Sequence, residues 1–339
     1  MTGDGFPKMD VSRALGLAVT KLDAAGVDSA RSDAEALLAF LLEIDPGELK
    51  KRIILGFELD QETSFVYNKL IQERATRKPL QHITGKAHFR YLELQVGPGV
   101  FVPRPETELV AQAAIDEVNA LKKPRPIVVD LCTGSGAIAL SIASETYAKV
   151  IAIELDKKAF EWAQKNNASL REEKQIDLRQ GDARKPPKDL IGKADIVISN
   201  PPYIPRNAIP RDQEVRDHDP EIALYGLGED GLTVPKGIIE AAAQLLKPGG
   251  LLIMEHGEEQ GPATREIAAN LFAVDFLPSR DPATACDTAV SHSAQDDRWG
   301  ETLAPNFTPV FADIETHRDF NQRDRYLTAR RSPVILRPS

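Results

Sequence analysis

From Ile127 onward short apolar runs alternate with helical stretches, and this alternation restricts the fold more than any other feature of the chain. Ile127 to Leu131, Lys149 to Ile153, Ile176 to Gln180, Ala194 to Ser199 and Leu251 to Met254 read as strands, with two more near Pro309 to Ile314 and Arg325 to Ala329. Strands separated by helices specify a doubly wound, mostly parallel sheet, because each crossover helix must pack back on a sheet face. Residues 278 to 305 interrupt the pattern. They are polar, Asp-rich and poor in aliphatic side chains, and read as an inserted surface loop.

The first 80 residues have a helical period instead. Val11, Leu15, Ala18, Val19 and Leu22 recur every 3.6 residues after Asp10, and Gly26 supplies a stop. Asp28 is expected to cap a second helix and Asp60 a fourth carrying Phe65, Val66, Leu70 and Ile71, while Pro46-Gly47 opens a short third and Pro79 ends the series. Between His82 and Val96 the period falls to two, so residues 81 to 100 read as a β-hairpin linker with a short strand before Gly85-Lys86. Three parts are expected: a helical domain over 1–80, the linker over 81–100, and an α/β domain over 101–339.

Composition narrows the functional classes. A net charge of −9 and a near-neutral helical domain argue against a stable nucleic-acid partner or adhesion to an anionic membrane, since both need a concentrated basic face. No apolar run approaches the roughly 18 residues of a membrane span, and the amino terminus has no apolar signal core. The two cysteines, Cys132 and Cys286, and the six histidines have no metal-ligand spacing, so no metal and a reduced cytoplasmic setting are expected.

Two loops beyond strand ends carry the chemistry. Asp130-Leu131-Cys132-Thr133-Gly134-Ser135-Gly136 follows the first strand, with Glu154 at the end of the second, placed for ribose hydroxyls. That pairing fits either NAD or S-adenosylmethionine. Asp182-Ala183 after the third strand offers a carboxylate and adjacent backbone to an adenine amino group, although a plain turn explains it equally well. Asn200-Pro201-Pro202-Tyr203 follows the fourth strand. Its amide oxygen and a backbone carbonyl can accept both hydrogens of a planar NH2 group, and Tyr203 can stack on the group's face. Ligand and reacting group thus line up along one sheet edge, which suits methyl transfer. Glu255-His256, after the fifth strand, reads as fold architecture, and Thr107 or Glu108 as a helix cap.

Phe101-Val102-Pro103-Arg104-Pro105-Glu106-Thr107-Glu108, Asp130 to Gly136, Asn200 to Tyr203, and Asp219 to Leu224 leading into Asp230-Gly231-Leu232 together resemble the release factor glutamine methyltransferases, the HemK/PrmC family. The resemblance implies a class I S-adenosylmethionine-dependent methyltransferase, Rossmann-like, with a mostly parallel seven-stranded sheet and a small N-terminal helical domain that docks the substrate. It implies methylation of the glutamine side-chain amide nitrogen, N5, in the GGQ motif of class I peptide chain release factors. By the same likeness Cys132, Thr133, Gly134, Ser135, Gly136, Glu154, Asp182, Ala183 and Asn200 bind the cofactor. Asn200, Pro201 and Tyr203 are then catalytic, and Pro202 and Arg104 join them in holding substrate. A monomer is expected. Cys132 stands where the family commonly has glycine, which suggests a position with no need of positive φ. Two readings compete: an adenine-N6 methyltransferase acting on DNA or RNA, whose NH2 group presents the same donor pair, and a glutamine methyltransferase of a ribosomal protein.

Overall fold

The computed structural model describes residues 8–272 and 309–333. The 278–305 insertion and Cys286 lie outside the described residues. The chain divides into two compact units: Met1–His88 with Glu93–Val102 and Ile209–Pro220, and Phe89–Leu92 with Pro103–Ala208 and Glu221–Ser339.

In the first unit, β1 (Met9–Asp10) leads into α1 (Val11–Ala24), where the Asp10 carboxylate accepts from Arg13 N at 3.0 Å and Gly26 closes the end at φ +74°. The second helix, α2 (Ala30–Leu41), begins after Ser29 rather than Asp28. Ser29 Oγ instead donates to Asp33 Oδ1 at 2.9 Å, so local polar chemistry there serves a buried carboxylate. Asp45 caps α3 (Pro46–Ile54) through Gly47 N and Glu48 N. After β2 (Glu58–Leu59), which pairs with β1, Asp60 caps α4 (Gln61–Ala75) through Thr63 N at 2.7 Å. Of the apolar set expected on α4, Ile71 is buried and Leu70 partly so, but Tyr67 and Arg74 also point inward while Phe65 is 61% exposed under the Lys69 ammonium.

Arg74 explains the difference. Its guanidinium lies in the helical core, paired with Asp33 at 2.7 Å and with Glu214 at 2.9 Å, and Arg77 grips the same Glu214 at 2.6 Å. Burial works against the Glu214 charge, but the hydrogen bonds from Arg77 and Arg74 outweigh it and hold the carboxyl down at about 2. A depressed carboxyl stabilises the fold at pH values above its unfolded titration, and that stability drains away as pH falls toward the folded value. Denaturation followed between pH 5 and 2 should therefore show the helical unit weakening across this window, and Glu214→Gln should flatten the dependence.

The segment expected to be a strand before Gly85 is instead a short helix, α5 (Leu80–Thr84), stopped by Gly85 at φ +73°. The hairpin follows it, β3 (Lys86–Phe89) and β4 (Leu92–Gln95), turning at Arg90, which adopts φ +52°.

The second unit runs α6 (Thr107–Ala120), β5 (Ile127–Leu131), α7 (Ala137–Glu145), β6 (Lys149–Glu154), α8 (Lys157–Ser169), β7 (Asp177–Gln180) and β8 (Ala194–Ser199). After α9 (Gln213–His218), in the segment that belongs to the first unit, come α10 (Glu221–Leu224), α11 (Thr233–Leu245), β9 (Leu246–Glu255), α12 (Gly261–Ala269), β10 (Phe311–Arg318) and β11 (Asp324–Arg331). The sheet has seven strands in the order β10-β11-β9-β8-β5-β6-β7. Neighbours from β9 through β7 are parallel, and β11 pairs antiparallel with β9 and β10. Val129, Ile151, Val197 and Leu252 are fully buried in one core cluster with α11, which explains why those runs are apolar throughout. Strand order reverses on either side of β5, and an open α/β sheet receives ligands beyond the carboxyl ends at such a reversal.

Candidate active site

The glycine loop leaves β5 at that point. Asp130, fully buried, accepts from Thr133 Oγ1 at 2.6 Å, and burial pushes its carboxyl up to about 7. Thr133 N donates to Ile153 O at 3.1 Å, tying the loop to β6. Gly134 and Gly136 adopt φ +59° and +86°. A Cβ on Gly134 would meet no atom within 4 Å, so the loop borders open space there, whereas at Gly136 it would meet Leu140 Cδ1 at 2.9 Å. Ser135 is buried, and its carbonyl accepts from Asn166 Nδ2 at 2.9 Å.

Cys132 departs from expectation: its φ is +62°, the left-handed region that costs a side-chain-bearing residue roughly 1–2 kcal/mol. The loop imposes this conformation whatever residue fills it. Its thiol packs on the core cluster, and burial, reinforced by the charges of Glu154 and Asp130, pushes its ionisation far up. It is held as the neutral thiol.

Glu154 ends β6 with its carboxylate turned to the loop. Its Oε2 accepts from Gly134 N and its Oε1 from Asp156 N, both at 2.8 Å, and burial raises its titration against those bonds. Each oxygen keeps a further lone pair for a hydroxyl donor. Open space beside Gly134 and a carboxylate held in place by two amides fit the ribose of a nucleoside cofactor. Asp182 is held by a near neighbour: Arg184 Nη2 donates to Oδ2 at 2.9 Å and Arg184 Nε to Oδ1 at 2.9 Å, holding the carboxyl below its usual range. Ala183 beside it is buried in the core cluster with Ile153 and Leu131.

Beyond β8, Ser199 Oγ donates to Leu131 O at 2.7 Å and fixes the strand end against the glycine loop. Asn200 Nδ2 donates to Thr107 Oγ1 at 3.2 Å. Among the described residues its Oδ1 and the Pro201 carbonyl accept no hydrogen bond, leaving two acceptors unspent at one bend of the chain. Tyr203 is pinned at both ends, its hydroxyl donating to Glu255 Oε1 at 3.4 Å and its carbonyl accepting from Gln260 Nε2 at 2.9 Å. Burial pushes its phenol upward, so it stays neutral.

The Asp230-Gly231 loop braces this bend from behind. Gly231 sits at φ +73°, where a Cβ would lie 2.3 Å from Tyr203 O, and a Cβ on Gly226 would lie 2.8 Å from Pro202 O. Gly231→Ala should cost about 1–3 kcal/mol of stability from the left-handed backbone alone. Turnover should fall with it as the bend is displaced, to be read by chemical denaturation and rate on one preparation.

Sequence reasoning missed the layer beneath. Thr107 does not cap α6; its hydroxyl donates to the buried Glu255 Oε2 at 2.8 Å, and the N-cap residue, Glu106, makes no side-chain cap. Glu108 accepts from Arg90 N instead. Glu255, read as architecture, lies behind both Asn200 and Tyr203. An acidic residue closing an apolar strand beside the asparagine loop was the available signal. Arg104 is half-buried, and its carbonyl accepts from Thr107 N at 3.1 Å, so its turn feeds directly into α6. Among the described residues no group of three or more His, Cys, Asp and Glu is arranged to hold a metal, and no helix is long and apolar enough to cross a membrane.

A parallel sheet flanked by an antiparallel hairpin, with a glycine loop, an acidic strand end and an asparagine-proline bend along one edge, defines a class I S-adenosylmethionine-dependent methyltransferase. Sequence models of the PrmC N-terminal domain and of conserved hypothetical protein 95 match residues 13–85 and 80–217. The release factor glutamine methyltransferase of Streptomyces coelicolor is 49% identical over 320 residues, 93% of this chain and 96% of that one. Its counterpart in Mycobacterium tuberculosis strain H37Rv is 36% identical over 332 residues, 95% and 92% of the two chains. The chain belongs to the release factor glutamine methyltransferase family. A 4-amino-L-phenylalanine/4-methylamino-L-phenylalanine methyltransferase of Streptomyces pristinaespiralis is also similar, 37% identical over 74% of this chain and 84% of that one.

Proposed function

We propose that this protein methylates the side-chain amide nitrogen of the GGQ glutamine in class I peptide chain release factors, acting as a cytoplasmic monomer. One observation carries the reading: Asn200 spends its Nδ2 on Thr107, so that Oδ1 and the Pro201 carbonyl remain as a pair of acceptors. A carboxamide NH2 has two hydrogens in one plane and matches such a pair. Its nitrogen is a poor nucleophile because the lone pair is delocalised, so orientation rather than a strong base is what the site must supply. Holding reactants in place can contribute on the order of 7–11 kcal/mol in favourable cases.

When bound, S-adenosylmethionine supplies an electrophilic methyl group on a sulfonium sulfur. Glu154 and the Gly134 turn are the residues that would hold its ribose, and Asp182 and Ala183 would flank its adenine. Asn200 Oδ1 and the Pro201 carbonyl bind the substrate hydrogens more tightly as positive charge grows on nitrogen, a gain specific to the transition state. Tyr203, kept neutral, packs on the amide plane, and Pro202 stiffens the bend. Both acceptors are neutral, so the proton shed by the methylated nitrogen passes to water. Arg104 is assigned to the substrate entrance. The helical unit would dock the factor, and it exposes Ile54 and Leu55 at 83% and 82%.

An arylamine also carries a planar NH2, and the Streptomyces pristinaespiralis relative is named for one. The higher identity to release factor methyltransferases over nearly the whole chain favours a protein amide. Incubation with methyl-labelled S-adenosylmethionine and purified release factors, ribosomal proteins, DNA and 4-amino-L-phenylalanine, followed by mass spectrometry, tests the reading. Label on the glutamine of the release factor supports it; label only on another acceptor refutes it.

A further inference from the structure

Asn200, Thr107 and Glu255 form a chain of hydrogen bonds whose polarity is set at its buried end. A carboxylate accepts and cannot donate. Thr107 must therefore direct its one hydroxyl hydrogen to Glu255 Oε2, 2.8 Å away, which leaves Thr107 Oγ1 only as an acceptor. The partner it then requires is a donor, and Asn200 meets this with Nδ2 at 3.2 Å. The amide is thereby turned so that Oδ1 faces away from Thr107. Were Glu255 to carry a proton, its hydroxyl could donate to Thr107, Thr107 could donate onward, and Asn200 could reverse.

We infer that Glu255 is a positioning residue that, through the Thr107 hydroxyl, sets which end of the Asn200 amide is offered to the substrate. This rests on the functional reading above. Among the described residues, those facing Glu255 are Thr107 and Glu106 at the start of α6, Tyr203 from the bend after β8, and Arg325 on β11, itself paired with Asp319 at 2.8 Å, with Tyr326 opposite Glu255 in the strand register. Full burial raises the Glu255 carboxyl to about 7, against the bond from Thr107 and the attraction of Arg325. The relay therefore switches within the working range of pH, with the ionised form productive.

The test compares wild type, Thr107→Val, Thr107→Ser and Glu255→Gln under saturating release factor, with S-adenosylmethionine affinity measured alongside to verify an intact fold. Loss of an orienting partner behind a functional group typically costs about 10- to 100-fold. Thr107→Val should lower kcat by at least about tenfold on that scale while cofactor affinity holds, and Thr107→Ser should restore it. Wild-type kcat should fall as pH drops below about 7. In Glu255→Gln the substituted amide permits both orientations at every pH, so turnover should be reduced yet no longer decline on acidification. Wild-type kcat in Thr107→Val, or an unchanged acid limb in Glu255→Gln, would overturn the relay while leaving the functional reading intact. A wild-type enzyme that methylates no release factor would instead remove the reading itself, and the relay with it.

Discussion

Asn200→Ala is expected to lower methylation of the release factor by about 10²-fold or more, the scale seen when one preorganised polar group is lost from a transition-state site. Affinity for S-adenosylmethionine should fall far less, because the glycine loop and Glu154, the residues proposed to hold the cofactor, follow β5 and end β6 while Asn200 stands beyond β8. The substitution removes one of the two acceptors proposed for the substrate and leaves Thr107 Oγ1 without its donor. Asn200→Asp should not rescue it. A carboxylate has no N–H to give to Thr107, so acceptor would face acceptor and the side chain would turn away. Single-turnover rates at saturating cofactor, with affinity from calorimetry, separate the two effects. Near-wild-type turnover in Asn200→Ala would rule out the bend as the amide-holding element.

Glu154→Ala should act on the other substrate. Hydrogen bonds to a charged acceptor contribute about 1.5–3 kcal/mol each, so losing two hydroxyl donors' partner should weaken S-adenosylmethionine binding by at least about 3 kcal/mol. That is on the order of 10²-fold in dissociation constant. Part of the loss is preorganisation, since Gly134 N and Asp156 N both aim at this carboxylate and would lose their partner. Glu154→Gln should be nearly as weak, because one end of its amide is a donor opposing a backbone N–H. Turnover at saturating cofactor should change much less. Unchanged affinity by calorimetry would exclude the ribose role.

The parts of the fold legible in the sequence are those that local chemistry dictates. Strands β5, β6 and β8 are apolar on both faces because both faces are covered, and Asp10 and Asp60 cap helices through amides three residues away. Gly134 and Gly136 announce a tight turn, and Asn200-Pro201-Pro202-Tyr203 announces a rigid bend at a strand end.

What escaped depends on partners distant in sequence. Thr107 appears as a helix cap until Glu255, 148 residues away, takes its hydroxyl. Phe65 looks like core until Arg74, paired with Asp33 and Glu214, claims the inward face of α4. Cys132 shows the converse: absence of glycine suggested an ordinary backbone, yet the loop imposes positive φ on a side chain that tolerates it.

On the proposed reading, Asn200 Oδ1 and the Pro201 carbonyl together receive a planar NH2 group. A crystal structure with S-adenosylhomocysteine and a glutamine-bearing GGQ peptide measures this directly. Both amide hydrogens of that glutamine should lie on these two oxygens, with Asn200 Nδ2 still on Thr107. A glutamine held by other side chains, or an Asn200 turned to present Nδ2, would contradict it.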